Sequence, residues 1–352
     1  MTTSNAHNPP TPLEDPAQFL ATGLELATSR AGGLARALAE RALALHGNDP
    51  QWQALAQTVL RQDVPDYHIR MLRDRLRNGA YRDAIERFAP GRTVLDIGTG
   101  SGLLAMMAAR AGAVRVFACE VNAMLAASAR SVIAANGLAD CITVLDCHST
   151  ALDRMRDLDG GVELVMSEVF SHDLIGEGVL GSLAHAREHL ALPGAKFLPE
   201  RASIVTALAD FPAIPEEIGV VEGFDLTAFA AHLHAARHRS PEDPAIALRS
   251  APADVFAFDF SNGALPLSGT SNVQLVSNGG RISGLAQWLR LTFAEDIVYE
   301  NRPGSGTDLH WMINLFPNAA PCAASAGKPF DVGASYAADT LAAWLRPGSA
   351  EG

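Results

Sequence analysis

The chain has 352 residues, 48% of them hydrophobic and 19% charged, with a formal net charge of -12. That is the make-up of a globular chain long enough for two domains, not of a disordered or fibrous one. No stretch approaches the ~20 apolar residues of a membrane span, and the polar start MTTSNAHNPPTPLEDP lacks the basic and apolar regions of a secretion signal.

A cytoplasmic protein without a membrane partner is therefore expected. Four cysteines without C-x-x-C pairing or histidines at zinc spacing argue against a metal and against a disulfide framework. An excess of 39 acidic over 27 basic residues disfavours a nucleic-acid partner and suits cationic substrates.

Ala17 to Leu60 is rich in alanine and leucine, and ALAERALALHGNDPQWQALAQTVL reads as helix, turn at Gly47 to Pro50, helix. One hairpin falls short of the copies a solenoid needs, so residues 1–62 form a helical extension. Asp63 to Phe88 is a basic amphipathic helical stretch with Pro65 just ahead of its start. From Thr93 to about Pro199, the strands TVLDIG, VRVFACE, ITVLDC and VELVMSEV alternate with helices, the pattern of a doubly wound α/β domain over 63–200. Beyond Arg201, RASIVTALA, ADVFAFDF, NVQLVS, LAQWLRLTF and HWMINLF are separated by Gly, Pro, Asn and Ser, giving a β domain over 201–352.

TVLDIGTGSGLLAMMAARAGA runs strand, glycine turn and helix together. Gly98, Gly100 and Gly102 let the backbone turn tightly beside the N-terminal amides of the next helix. Asp96 ends the strand in that crevice, and Glu120, ending VRVFACE, can accept hydrogen bonds from ribose hydroxyls. A nucleoside cofactor is implied. A pyrophosphate loop reads G-x-G-x-x-G, whereas here the third glycine comes one residue early and Leu103 takes the later position. Asp96 would repel a pyrophosphate but receive an ammonium, so S-adenosyl-L-methionine fits better than NAD. The plainer alternative is a tight turn in an unliganded domain.

VELVMSEV runs out at Glu168, and Glu177 follows nine positions on, between Gly176 and Gly178. Two carboxylates can grip a planar, charged guanidinium from two directions. Glu177 alone could equally cap a helix or face solvent. With these residues in place the chain resembles the protein arginine methyltransferases, most closely the branch that includes the monomethylating, type III enzyme. The resemblance runs from about Tyr67 to Pro317. It rests on VLDIGTGSG, CEVN, CHST, SEVFSHDLIGEG, GFDLTAF and HWMINLF in that order.

The resemblance implies a Rossmann-like class I methyltransferase domain followed by a β-barrel-like domain with a helical dimerisation arm at about 212–238, hence a homodimer. It implies that Gly98, Gly100 and Gly102 contact the methionine part of S-adenosyl-L-methionine, Glu120 its ribose and Ser149 its adenine, with Asp96 completing the cofactor set. Met71 would line the methyl-transfer site and Arg77 bind the cofactor carboxylate. Asp74 would pair with His310, while Glu168, Glu177 and Trp311 bind the acceptor. By residue type alone, Asp74 and Arg77 could be a solvated helix face, and His310 a satisfied core histidine.

The sequence departs from the family at Leu309, which replaces a threonine, and at Ser171, which replaces an acid with Asp173 nearby. It also departs in the aromatic segment reduced to Tyr67. The expected reaction is in-line attack of an arginine guanidino nitrogen on the sulfonium methyl, with Glu168 or the Asp74 and His310 pair taking the proton. Acceptors are an arginine-containing protein or peptide, or free arginine.

Overall fold

The computed structural model describes residues 11–29, 31–62, 67–213, 219–230, 238–306 and 309–346. In chain order, helices α1 (Pro16–Ala27), α2 (Gly32–His46), α3 (Pro50–Arg61), α4 (Tyr67–Arg73) and α5 (Arg75–Phe88) precede strand β1 (Thr93–Ile97). There follow α6 (Leu103–Arg110), β2 (Arg115–Glu120), α7 (Ala123–Ala135), β3 (Ile142–Asp146), α8 (Arg154–Asp157), β4 (Val162–Ser167), α9 (Val179–His185) and β5 (Ala191–Leu198). The rest is β6 (Arg201–Asp210), β7 (Val220–Val221), β8 (Phe224–Asp225), α10 (Thr227–Ala230), β9 (His238–Arg239), β10 (Ala247–Leu248), β11 (Ala253–Asp259), β12 (Ser268–Ala294), β13 (Ile297–Glu300), β14 (Ile313–Ala337) and β15 (Thr340–Leu345). Contacts divide the chain into two compact units: residues 1–68 with 89–162, and 69–88 with 163–352. The first takes residues from either side of the expected boundary at 62, and the second from either side of the expected boundary at 200.

In the first unit the N-terminal extension has α1 in addition to the expected hairpin. Asp15 and Asp49 cap α1 and α3 by accepting the amides of Ala17 and Gln51, and a proline opens each helix. Phe19, Trp52 and Val59 pack with Ala35, Ala39 and Ala42, whose small side chains let the helices approach, and Met124 of α7 joins this core. Strands β3, β2 and β1 lie in that order and are parallel, with Phe117 opposite both Leu95 and Thr143. β1 and β2 are buried along nearly their whole length, as parallel strands covered on both faces require.

In the second unit β4 and β5 are neighbours, and α9 runs on through a π-helical turn at Ala186–Leu190. A separate antiparallel sheet has the path β10-β6-β12-β14-β15, with β11 on β6, β13 on β12 and β9 on β14. One expectation is corrected here. NVQLVS and LAQWLRLTF are parts of the single 27-residue strand β12, which pairs with β14 through bulges at Val276/Asn278 and Ile282/Gly284. The Asn and Gly residues between them, with Gly279 at φ 96 and Gly280 at φ 103, serve a bulged strand and not a turn.

Alternation sends Val205, Ala207, Ala286, Trp288, Ile313 and Leu315 to an apolar face. On the intervening positions Thr206, Gln287 and Asn314 stand in register and buried. The expected arm at about 212–238 is described only in part. Residues 214–218 and 231–237 lie outside the described residues, and between them β7 and β8 form a short hairpin.

Candidate active site

The glycine loop belongs to the first unit. Gly98, Gly100 and Gly102 have φ of 72, 52 and 82, a left-handed backbone that L side chains resist. The amides of Gly98 and Thr99 both donate to the Cys119 carbonyl at 3.0 Å, tying the loop to the end of β2. Gly102 leads into α6 and has Ile133 3.2 Å from where a Cβ would stand. The Thr99 hydroxyl donates to buried Asp96 at 2.6 Å. Glu120 accepts the Gly100 amide at 3.0 Å through one oxygen and the Asn122 amide at 2.9 Å through the other. Each oxygen keeps capacity for a further donor.

Ser149 is 2% exposed, and its hydroxyl finds no partner among the described residues. An adenine edge would satisfy such a buried polar atom. The loop holds no basic side chain to meet a phosphate. The set therefore fits S-adenosylmethionine. Burial chiefly pushes the Cys119 thiol up to about 12, so it stays neutral beside the loop and supplies no nucleophile.

The carboxylates belong to the second unit. Asp74 separates α4 from α5, and one of its oxygens accepts the Arg77 amide at 2.8 Å. The other accepts the His310 backbone amide and the Tyr299 hydroxyl, both at 2.9 Å. Asp74 thus meets His310 at its backbone amide. Arg77 places a terminal nitrogen 2.8 Å from Glu168, a second on Asn78 at 2.7 Å, and its plane over the Tyr81 ring. The Tyr81 hydroxyl in turn donates to the Ser167 carbonyl at 2.7 Å.

Burial opposes the charge on Arg77, but Glu168, Tyr81 and Asp74 outweigh it and raise the guanidinium above its ordinary value. The solvated-face alternative for Asp74 and Arg77 is overturned, since they are 0% and 2% exposed. Arg77, assigned by resemblance to the cofactor carboxylate, holds Glu168 through one terminal nitrogen. Met71 is buried on α4.

The loop after β4 is held from several sides. Trp311, expected beside the acceptor, is fully buried, and its indole donates to the Phe170 carbonyl at 2.7 Å. The Met312 amide donates to His172 Nδ1 at 3.1 Å, and Gln287 reaches the His172 carbonyl at 3.4 Å. Ser171, where the family carries an acid, accepts the Gly176 amide at 2.8 Å and donates to Asp173. Glu177 is exposed with φ 60, followed by Gly178 at φ 67, whose amide donates to Asp339 at 3.3 Å.

Sequence reasoning missed Tyr299, His172, Gln287 and Asp339. The alternation of Ile297 and Tyr299 inward against Val298 and Glu300 was the one readable signal, and it marks Tyr299 only as buried.

Two outcomes follow locally. A Cβ on Gly176 would lie 2.4 Å from the Ser171 hydroxyl. Gly176→Ala should therefore distort the loop at a cost of about 1 to 3 kcal/mol and cut turnover at least ~10-fold, and near-native turnover in steady-state assays would refute the tight fit. Burial chiefly, with His238 and Arg70 adding, pushes His172 down to about 4 from 6.5. The folded protein keeps this ring neutral while the unfolded chain takes up a proton, so the stability it contributes is present above pH 6.5 and lost as pH falls toward 4. Thermal melts across that window should show a shallower decline in His172→Gln than in the native protein, and equal slopes would overturn the assignment.

Residues 83–175 match the family model of ribosomal protein L11 methyltransferase (PrmA). The chain is 39% identical over 309 residues to the arginine N(omega)-methyltransferase of Streptomyces achromogenes subsp. streptozoticus, covering 83% of each protein. It is 32% identical over 265 residues to protein arginine N-methyltransferase 7 of Oryza sativa subsp. japonica, covering 67% of this chain and 36% of that relative.

Among solved structures, the Trypanosoma brucei PRMT1 enzyme-prozyme complex with AdoHcy superposes with a TM-score of 0.69 at 23% identity, over 80% of this chain and 94% of that one. Arabidopsis thaliana protein arginine methyltransferase 10 gives 0.65 at 21% identity, over 79% and 96%. These structures share the fold: a Rossmann-like domain and an antiparallel β domain. With a relative of 39% identity over 83% of its length, the chain belongs to the S-adenosylmethionine-dependent arginine N-methyltransferases.

Proposed function

We propose that the chain methylates a guanidino nitrogen of arginine in a protein or peptide, chiefly once, and that Glu168 and Glu177 hold the acceptor. The observation that carries the acceptor site is the buried Arg77 and Glu168 contact at 2.8 Å: this carboxylate is already built to hold a guanidinium. S-adenosylmethionine, when bound, supplies an electrophilic sulfonium methyl group. Gly98, Gly100, Gly102, Asp96, Glu120 and Ser149 would hold it, with Met71 and Arg77 completing the set.

Glu168 and Glu177 orient the guanidinium and concentrate its charge away from the reacting nitrogen, an alignment and electrostatic task. Glu168 lies closest in kind to a proton acceptor, because the Asp74 oxygens already accept three donors. The division into a helical extension at 1–62, a cofactor domain at 63–200 and a substrate domain at 201–352 remains our functional partition. Four free cysteines suit a reducing cytoplasm, and among the described residues no helix is long and apolar enough to cross a membrane.

A second reading has one observation in its favour. The streptomycete relative, matched over 83% of its length, is named for arginine itself, whereas the rice protein-arginine enzyme is matched over 36%. Free arginine is then the acceptor. Mass spectrometry after incubation with isotopically labelled S-adenosylmethionine, free arginine and an arginine-rich peptide separates the readings. Label in peptide monomethylarginine supports the first, label only in free methylarginine the second, and abundant early dimethylarginine overturns single methylation.

We further propose a homodimer through the hairpin of β7 and β8, where Val220 and Phe224 are 70% and 71% exposed. Phe224→Asp should convert the dimer to monomer in light scattering and lower activity. A native protein that is active as a monomer would refute this.

A further inference from the structure

Tyr299 lies outside every motif of the sequence, in β13, and is 225 residues from its hydrogen-bond partner Asp74. Its buried ring touches the Trp311 ring edge-on at 5.4 Å, and its hydroxyl donates to Asp74 at 2.9 Å. Both contacts lead to Glu168. Through Asp74 the path runs to the Arg77 amide, and so to the side chain that holds Glu168 at 2.8 Å. Through Trp311 it runs to the Phe170 carbonyl, two residues past Glu168.

We propose that Tyr299 is a positioning residue for the acceptor carboxylate Glu168, acting chiefly through Asp74 and Arg77. The proposal rests on the reading of Glu168 as an acceptor-binding group. The hydroxyl matters because the same Asp74 oxygen also accepts the His310 amide. Two donors on one oxygen fix the carboxylate plane, and the other oxygen is thereby aimed at the first turn of α5, which carries Arg77. Burial, reinforced by Asp74, raises the phenol above its ordinary value, so it remains a donor throughout the working pH range. An Asp74 held by one donor fewer could rotate and let Arg77 drift along Glu168, misaligning an oxygen that must meet the acceptor guanidinium.

The test is a double-mutant cycle on the full-length protein with the arginine acceptor it turns over best. Tyr299→Phe keeps the ring against Trp311 and deletes only the hydroxyl. It should lower kcat/KM for the acceptor by ~10-fold or more, mainly in kcat, with the protein still fully folded at the assay temperature despite the lower melting temperature that losing one buried hydrogen bond brings. Tyr336→Phe is the matched control, since that hydroxyl donates to the Pro266 carbonyl in the β domain, and it should leave turnover unchanged.

Added to Asp74→Asn, Tyr299→Phe should cost little further, because the route it serves is already broken. Losses that simply multiply would overturn the route through Asp74, as would native kcat/KM in Tyr299→Phe. Should Asp74→Asn fail to fold, the cycle with Arg77→Lys carries the same two outcomes. Glu168→Gln run alongside keeps the premises apart: an active Glu168→Gln refutes the acceptor reading itself, whereas an inactive one beside a native-like Tyr299→Phe refutes only the positioning role.

Discussion

Glu177→Gln and Glu168→Gln should each cut turnover by ~100-fold or more while cofactor affinity stays nearly constant. A glutamine keeps the size and one acceptor oxygen of the glutamate but not the charge that orients and polarises a guanidinium. The two variants should nonetheless differ in stability. Glu168 and Arg77 form a buried ion pair with side chains 7% and 3% exposed, and breaking such a pair from one side costs about 3 kcal/mol or more because a buried charge is left behind. A lowered melting temperature in Glu168→Gln is therefore expected whether or not the residue is catalytic.

Glu177 is exposed and left-handed at φ 60, so removing its charge should lower the melting temperature far less than the Glu168 change does. That makes Glu177→Gln the cleaner arbiter. Lost turnover at near-native stability is the signature of an acceptor clamp, and near-native turnover would return Glu177 to the role of a solvent-facing acid. Near-native turnover in Glu168→Gln together with a lowered melting temperature would leave Glu168 a structural partner of Arg77 and not part of the clamp.

What was legible in the sequence was local. The strands TVLDI, RVFACE, ITVLD and VELVMS lie within a residue or two of where alternation and glycine punctuation put them, because each is a short apolar run bounded by turn chemistry. The glycine loop and both glutamates were readable for the same reason. What was not legible depends on partners distant in sequence. SNGGRISG looks like a turn, but β14 supplies a matching strand along its whole length and bulges absorb the glycines.

Asp74 and Arg77 look like a solvated basic helix until Tyr299 and His310, more than two hundred residues on, supply donors that make burial affordable. Ser171 reads as a lost charge. In the structure it is the residue against which Gly176 closes, so the loop keeps its shape by a hydroxyl and a missing Cβ. Part of what holds the loop, Tyr299 and Gln287 above all, thus comes from strands that carry no motif.

Glu120→Ala should weaken S-adenosylmethionine binding by about 1.5 to 3 kcal/mol, roughly 10- to 150-fold in Kd, the scale of losing charge-assisted hydrogen bonds. The structure gives this residue a double task. Its two oxygens accept the Gly100 and Asn122 amides, so the carboxylate that would receive the ribose also fixes the middle of the glycine loop and the start of α7. Deleting it removes a ligand contact and loosens the left-handed turn that a ligand must find already formed. Glu120→Gln separates the two tasks, because its one carbonyl oxygen can serve only one of the two amides while its new N–H groups cannot accept a ribose hydroxyl. Affinity in Glu120→Gln should fall between those of the native protein and Glu120→Ala. Calorimetry that finds native affinity in Glu120→Ala would remove Glu120 from the cofactor site, and with it the physical case that this loop was shaped for a nucleoside.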